Sequence, residues 1–200
     1  MNKGHGGFTL IEILVVLTII ATLAGMVSLL VVNAQRKRIQ MECTRNVQQL
    51  VGLLESGERY PAASGANLIL YLVHKGAVQG RDELEVLFCP GDERETLRDA
   101  GGEAAYKDVD LDRQEYGHLT SYAGRDQSRP EIRARKGARS VVLIADDSQD
   151  HHFDQGIVVG LSGGVAKWRD KVDDYEIRSD AELLVGPGSS QPELACLRAD

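Results

Sequence analysis

Gly7-Phe8-Thr9-Leu10-Ile11-Glu12 heads an apolar run that carries no charge from Ile13 to Val32. A carboxylate at the mouth of such a run is costly. Insertion scales charge roughly 2.5–3.5 kcal/mol for an acid inside hydrocarbon, and acids that persist there usually have a task. The short basic leader Met1–Gly7 supplies one. Cleavage after Gly7 would make Phe8 a new N-terminus, with an amine one helical turn from Glu12 and able to pair with it, within a chain or between neighbours. The twenty residues from Ile13 to Val32 rise about 30 Å as a helix, the thickness of a bilayer core. An ordinary secretory signal has an apolar region of only about 7–15 residues. The triplet Val32-Asn33-Ala34 could serve as a conventional signal peptidase site, but the length of the run and Glu12 at its head weigh against that reading.

This order of residues resembles the class III signal of type IV pilins and type II secretion pseudopilins. The resemblance covers roughly the first 35 residues, and the helix expected to follow extends it to about residue 57. It implies that a prepilin peptidase cleaves between Gly7 and Phe8 and methylates Phe8. It also implies that Glu12 orients each subunit against a neighbouring amine during filament assembly. The implied partners are prepilin peptidase, other pilin or pseudopilin subunits, an inner-membrane assembly platform and the lipid bilayer. The implied place is the inner (cytoplasmic) membrane, single-pass, with a periplasmic or extracellular head that can enter a surface filament. Charge counting points the other way, because Arg36-Lys37-Arg38 beyond the helix outnumber Lys3 in the leader; the motif is followed here.

The helical pattern continues past the membrane edge. Residues 34–57 hold no proline, and Ile39, Cys43, Val47, Leu50, Val51 and Leu54 recur at helical spacing. Gly57 and Pro61 end the segment. The organisation expected is a leader at 1–7, a transmembrane helix half at 8–33, and a head at 34–200 that includes the amphipathic helix half. A second helix is expected over Asn67–Lys75, a short strand or apolar run at Leu84–Phe88, a polar surface loop over 92–115, and a short strand at Ser121–Ala123. Ser140–Ala145 is β-branched and apolar, and Gly156–Leu161 and Val165–Trp168 flank the turn Ser162-Gly163-Gly164. The fold class expected is therefore α+β and pilin-like: one long N-terminal helix packed against a small antiparallel sheet. The tail from Val172, with Gly186-Pro187-Gly188-Ser189-Ser190, reads as loosely ordered. A weaker resemblance, carried by Phe88-Cys89-Pro90, His152, Gly156, Val158, Gly163-Gly164-Val165 and Trp168, is to prepilin-like proteins of planctomycete-type bacteria. That family's Asp-Gly-His-Val ending is Ser162-Gly163-Gly164-Val165 here, so its Asp and second His are missing.

The net charge of −7, about −8 once Lys3 leaves with the leader, argues against binding to a phosphate backbone. No nucleic-acid partner is expected, and the basic run Arg129–Arg139 reads as solvated. No Gly-x-Ser-x-Gly and no phosphate-cradling loop is present. Cys89 with His118 or His152 could form a thiol pair, but Cys89-Pro90-Gly91 reads better as a turn, and no enzyme is expected. Asp146-Asp147-Ser148-Gln149-Asp150-His151-His152-Phe153-Asp154 is the one dense ligand cluster. An acidic connection between two strands is most often just solvated, but Asp146, Asp147, Asp150 and Asp154 could hold Ca²⁺ through oxygen, or the imidazoles a transition metal through nitrogen. The pseudopilin resemblance favours Ca²⁺, because major pseudopilins bind calcium in a C-terminal loop. Three cysteines make an odd number. In an oxidising compartment Cys89 and Cys196, both in the head, are the pair to test for a disulfide. The function expected is a structural subunit of a type IV pilus-like or type II secretion pseudopilus filament. The alternative is a membrane-anchored metal-binding or sensor head that forms no filament.

Overall fold

The computed structural model describes residues 9–200, apart from 93–95, 114, 139, 149–151, 154, 179–180 and 200. Helix α1 runs over Leu10–Ser56, 47 residues without a break. The chain divides into two compact units, Met1–Arg38 and Ile39–Asp200, and the division falls inside α1.

In the first unit every described apolar side chain of α1 from Leu10 to Val32 is exposed. Thr18, Thr22 and Ser28 each donate a hydroxyl to the carbonyl three residues back. Their polar groups are thus satisfied within the helix, as an apolar surrounding requires. This segment is long and apolar enough to cross a membrane.

The second unit is built on the other end of the same helix. Cys43, Val47, Leu50, Val51 and Leu54 are buried, at the spacing that lines one helical face. They pack with α2 (Ala66–His74) and with one face of a five-stranded sheet. The short helix α3 (Arg81–Leu84) runs into a 3₁₀ turn at Glu85–Leu87, where a strand or apolar run is expected from sequence. Leu84, Leu87 and Phe88 are buried there on one side of a helical turn, so their apolar character serves packing without strand pairing. The polar segment that follows contains a 3₁₀ turn at Gly102–Tyr106, held by the Tyr106 hydroxyl donating to the carbonyl of Leu119.

The strands are β1 (Tyr122–Arg125), β2 (Val142–Asp146), β3 (Gly156–Leu161), β4 (Val165–Asp170) and β5 (Leu197–Arg198). Their order is β4-β3-β2-β1-β5, and every pair is antiparallel. Strands β2 and β3 are buried along their whole length. Val158 and Ile144 face the α1 core, while Ile157, Val159, Leu161, Val142 and Ala145 face a second apolar cluster. A bulge between Val142 and Ile144 changes the phase of β2. It sets Ile144, and with it Asp146, on the side of α1.

The second cluster corrects the reading of the tail. Tyr175, Leu183, Leu194, Cys196 and Leu197 are buried against the far face of the sheet, and β5 pairs with β1. The physical reason is that a sheet apolar on both faces must be covered on both. Gly160 lets α1 come close: a Cβ there would lie 2.3 Å from Cγ2 of Val51 and 2.8 Å from Cγ1 of Val47.

Candidate functional site

Two places in the chain carry chemistry. The first is the start of α1. Gly7 and Phe8 lie outside the described residues. Thr9 is the N-cap residue: the Thr9 hydroxyl accepts from the Glu12 N–H at 3.4 Å. In return Glu12 Oε2 accepts the Thr9 N–H at 2.7 Å and the Thr9 hydroxyl at 2.8 Å. Thr9-x-x-Glu12 is therefore a capping box, and it answers two of the unpaired donors of the first helical turn. Its sequence signature, a threonine three residues before a glutamate at the head of an apolar run, was present in the quoted motif and went unread. Both side-chain bonds of the box use Oε2, and an ionised carboxylate has a second oxygen with which to meet an amine.

The second place is in the head. Asp146, expected from sequence as a surface ligand, ends β2 and is fully buried. Its Oδ1 accepts from Cys43 Sγ at 3.1 Å, and its Oδ2 accepts the Val158 N–H at 2.7 Å. The same Oδ2 lies 3.1 Å from Nε2 of His152. Cys89 Sγ lies 3.6 Å from that nitrogen. Asp146 is thereby withdrawn from the oxygen ligands weighed from sequence for calcium, and it turns inward because its position on the bulged strand faces α1. Asp147 is half-buried at the strand end, and Asp150 and Asp154 lie outside the described residues.

Burial pushes the Cys43 thiol well above its ordinary value, and the Asp146 charge adds to the effect. For His152 burial opposes the charged ring. Its hydrogen bonds to Asp146 and Cys89, together with the Asp146 charge, outweigh that, and its pKa is pushed up to about 10. Trp168 closes over the imidazole edge-on, with ring centroids 5.1 Å apart.

Cys89 and His152, weighed from sequence as a thiol pair, do meet. The geometry is not that of a Cys–His–Asp catalytic relay. In such a relay the acid holds one ring nitrogen and the nucleophile the other. Here Asp146 and Cys89 both approach Nε2.

Cys89 and Cys196, the pair singled out from sequence to test for a disulfide, lie apart. No disulfide forms, and Cys43, Cys89 and Cys196 are all buried thiols. Cys89 sits in the α1 core with Cys43, whereas Cys196 belongs to the cluster on the far face of the sheet. There it accepts from Arg125 at 2.9 Å and donates to the Glu193 carbonyl at 3.0 Å. Sequence reasoning missed Cys43 as the companion of Cys89. The signal available was its position in the apolar stripe, which told that it is buried but not against what.

The basic run 129–139 is largely engaged within the head. Arg129 pairs with Asp126 at 2.7 Å, Arg133 donates to the Gln127 carbonyl, and Lys136 donates to the Leu54 carbonyl and to Glu55.

Residues 2–28 match the family model described as the prokaryotic N-terminal methylation motif. No curated protein and no solved structure matches the chain. The match ends inside the apolar half of α1, so it speaks for the signal and not for the head. Motif, capping box and exposed apolar helix coincide at one end of the polypeptide, and the chain carries a prepilin-type N-terminal signal.

Proposed function

We propose that the chain is a structural subunit of a type IV pilus-like or type II secretion pseudopilus filament, with no catalytic task. Prepilin peptidase cleaves it between Gly7 and Phe8 and methylates Phe8. The apolar half of α1 holds it in the inner membrane, with the head on the periplasmic side, until an assembly platform draws it into a filament. The observation that carries this reading is the methylation motif at the head of a helix whose described apolar side chains are exposed from Leu10 to Val32.

The mechanism is exchange of one apolar surrounding for another. Helices leave lipid and bundle with helices of neighbouring subunits, so little apolar surface meets water. Glu12 gives the exchange a register. An unpaired carboxylate in a low-dielectric bundle is penalised, while one matched to a cation is tolerated. The capping box holds the Glu12 carboxylate at the helix mouth, where the Phe8 amine of a neighbour would arrive.

The test is the N-terminus of the chain recovered from membranes of cells that contain prepilin peptidase. Intact-mass and N-terminal analysis should find a polypeptide that begins at methylated Phe8 and loses this processing when Gly7 is replaced by a bulky residue. A mature chain beginning near Gln35, or one that keeps Met1–Gly7, refutes the proposal.

A further inference from the structure

The geometry points to a buried tetrahedral zinc site formed by Cys43, Cys89, Asp146 and His152, independent of the processing proposed above. Four elements deliver these groups: α1, the turn after the Glu85–Leu87 segment, the end of β2, and the connection into β3. All four residues are buried, and one ligand atom from each lies within 4.8 Å of all the others.

The spacing suits one ion. With Zn–S near 2.3 Å and Zn–N and Zn–O near 2.0–2.1 Å, the edges of a tetrahedron are about 3.3–3.6 Å between unlike ligand atoms. Cys89 Sγ lies 3.6 Å from His152 Nε2 and His152 Nε2 lies 3.1 Å from Asp146 Oδ2, close to those edges, while Cys43 Sγ approaches the other carboxyl oxygen, Oδ1, at 3.1 Å and completes a set in which one donor atom from each residue lies within 4.8 Å of the rest. The convergence of Cys89 and Asp146 on a single imidazole nitrogen is unsuited to proton relay. It is what a shared ion at their centre requires.

The donor set selects the metal. Two sulfurs and an imidazole are soft and borderline ligands, which favour Zn²⁺ over the oxygen-seeking Ca²⁺. Four protein ligands and no open position describe a structural site. As the metal bonds form, the two thiol protons and the proton on His152 Nε2 pass to water, and His152 binds through Nε2 as neutral imidazole. Outer partners are in place: the Val158 N–H donates to Asp146 at 2.7 Å, the Tyr122 hydroxyl lies 3.6 Å from Cys43 Sγ, and the Trp168 ring buttresses His152. A surface pocket lined by Glu42, Asn46, Phe88, Cys89 and Asp92 among others reaches Cys89 and offers a way in. A Cys43–Cys89 disulfide is the rival use of the two sulfurs, but it leaves the convergence of Asp146 and His152 on them without a cause.

The test uses the full chain in detergent, purified under reducing conditions, loaded with zinc chloride and dialysed. Elemental analysis should find one zinc per chain. Cobalt substitution should give thiolate-to-metal charge-transfer bands and the intense visible bands of tetrahedral Co²⁺. Cys43→Ser and His152→Gln should lose the metal, Cys196→Ser should keep it, and Tyr122→Phe should bind about 10-fold more weakly. Because ligand variants can misfold, the wild-type chain is also read alone: a chelator should lower its melting temperature and added Zn²⁺ should restore it. Wild-type protein that holds no zinc after loading, cobalt spectra without thiolate bands, or a Cys43–Cys89 disulfide in a non-reduced peptide map of the exported protein overturns the assignment.

Discussion

Gly160→Ala tests the helix-on-sheet packing directly. The added Cβ would lie 2.3 Å from Cγ2 of Val51, about 1.2 Å inside the closest ordinary carbon contact, and 2.8 Å from Cγ1 of Val47. Neither valine can turn away, since a β-branched side chain in a helix has essentially one favoured χ1. The helix must therefore lift from β3, and overpacking of this kind costs about 1–3 kcal/mol. The upper end is expected, because two rigid neighbours are struck at once. For a domain of this size each kcal/mol lowers the melting temperature by about 2–4 °C, so a loss near 3 kcal/mol lowers it by about 6–12 °C. Val51→Ala alone removes buried methyl groups and costs about 2 kcal/mol. In the double variant the space vacated by Val51 accepts the new methyl, and the combined loss should fall short of the sum by about 1–2 kcal/mol. Urea unfolding of the full chain in detergent, followed by fluorescence of its single tryptophan, Trp168, measures all three. A Gly160→Ala variant within about 0.5 kcal/mol of wild type, or strict additivity in the double variant, would show that α1 does not approach β3 this closely.

The capping box and the assembly role of Glu12 separate by substitution. Thr9→Ala should cost about 1 kcal/mol of helix stability at the N-terminus and lower incorporation into filaments less than loss of the Glu12 carboxylate does. Glu12→Ala should insert and be cleaved but incorporate poorly, as read by the ratio of filament to membrane protein in sheared fractions; equal incorporation removes the proposed register. Lys136→Met takes the cation from the Leu54 carbonyl and from Glu55 at the end of α1, a partly buried arrangement. It should cost about 1–2 kcal/mol, measured as a lower urea midpoint with unchanged slope. Burial works against ionisation of Asp126, but hydrogen bonds from Ser128 and the Arg129 guanidinium outweigh it and hold the carboxyl below its ordinary value. A depressed carboxyl stabilises the fold at neutral pH, and that contribution disappears as pH falls below about 4, through the folded-state pKa. Asp126→Asn should therefore be less stable than wild type at pH 7 and approach it in acid; parallel pH–stability curves would refute the role of this pair.

The division between what could be read in the sequence and what could not follows the range of the interactions. The capping box, α1 and the hairpin β3–β4 depend on residues a few positions apart, so periodicity and turn chemistry reveal them. The stripe Cys43, Val47, Leu50, Val51, Leu54 announces burial in the same way. The capping box was legible in the sequence and overlooked; the larger errors lie where the answer depends on a distant partner. Ser140–Ala145 and Gly156–Leu161 are continuous apolar runs that do not alternate, and such runs are buried on both faces. That alone required a cover for the second face. The tail provides it, through Leu183, Leu194 and Leu197, with Ile132 packed beside them. The acidic loop misled for a related reason. Local composition groups Asp146 with Asp147, Asp150 and Asp154 as surface ligands, but one bulge in β2 sets Asp146 on the inner face, against Cys43 from more than a hundred residues earlier. Which of several neighbouring carboxylates does chemistry is a question of strand phase. Phase is set by hydrogen-bond pairing between strands, which composition does not encode.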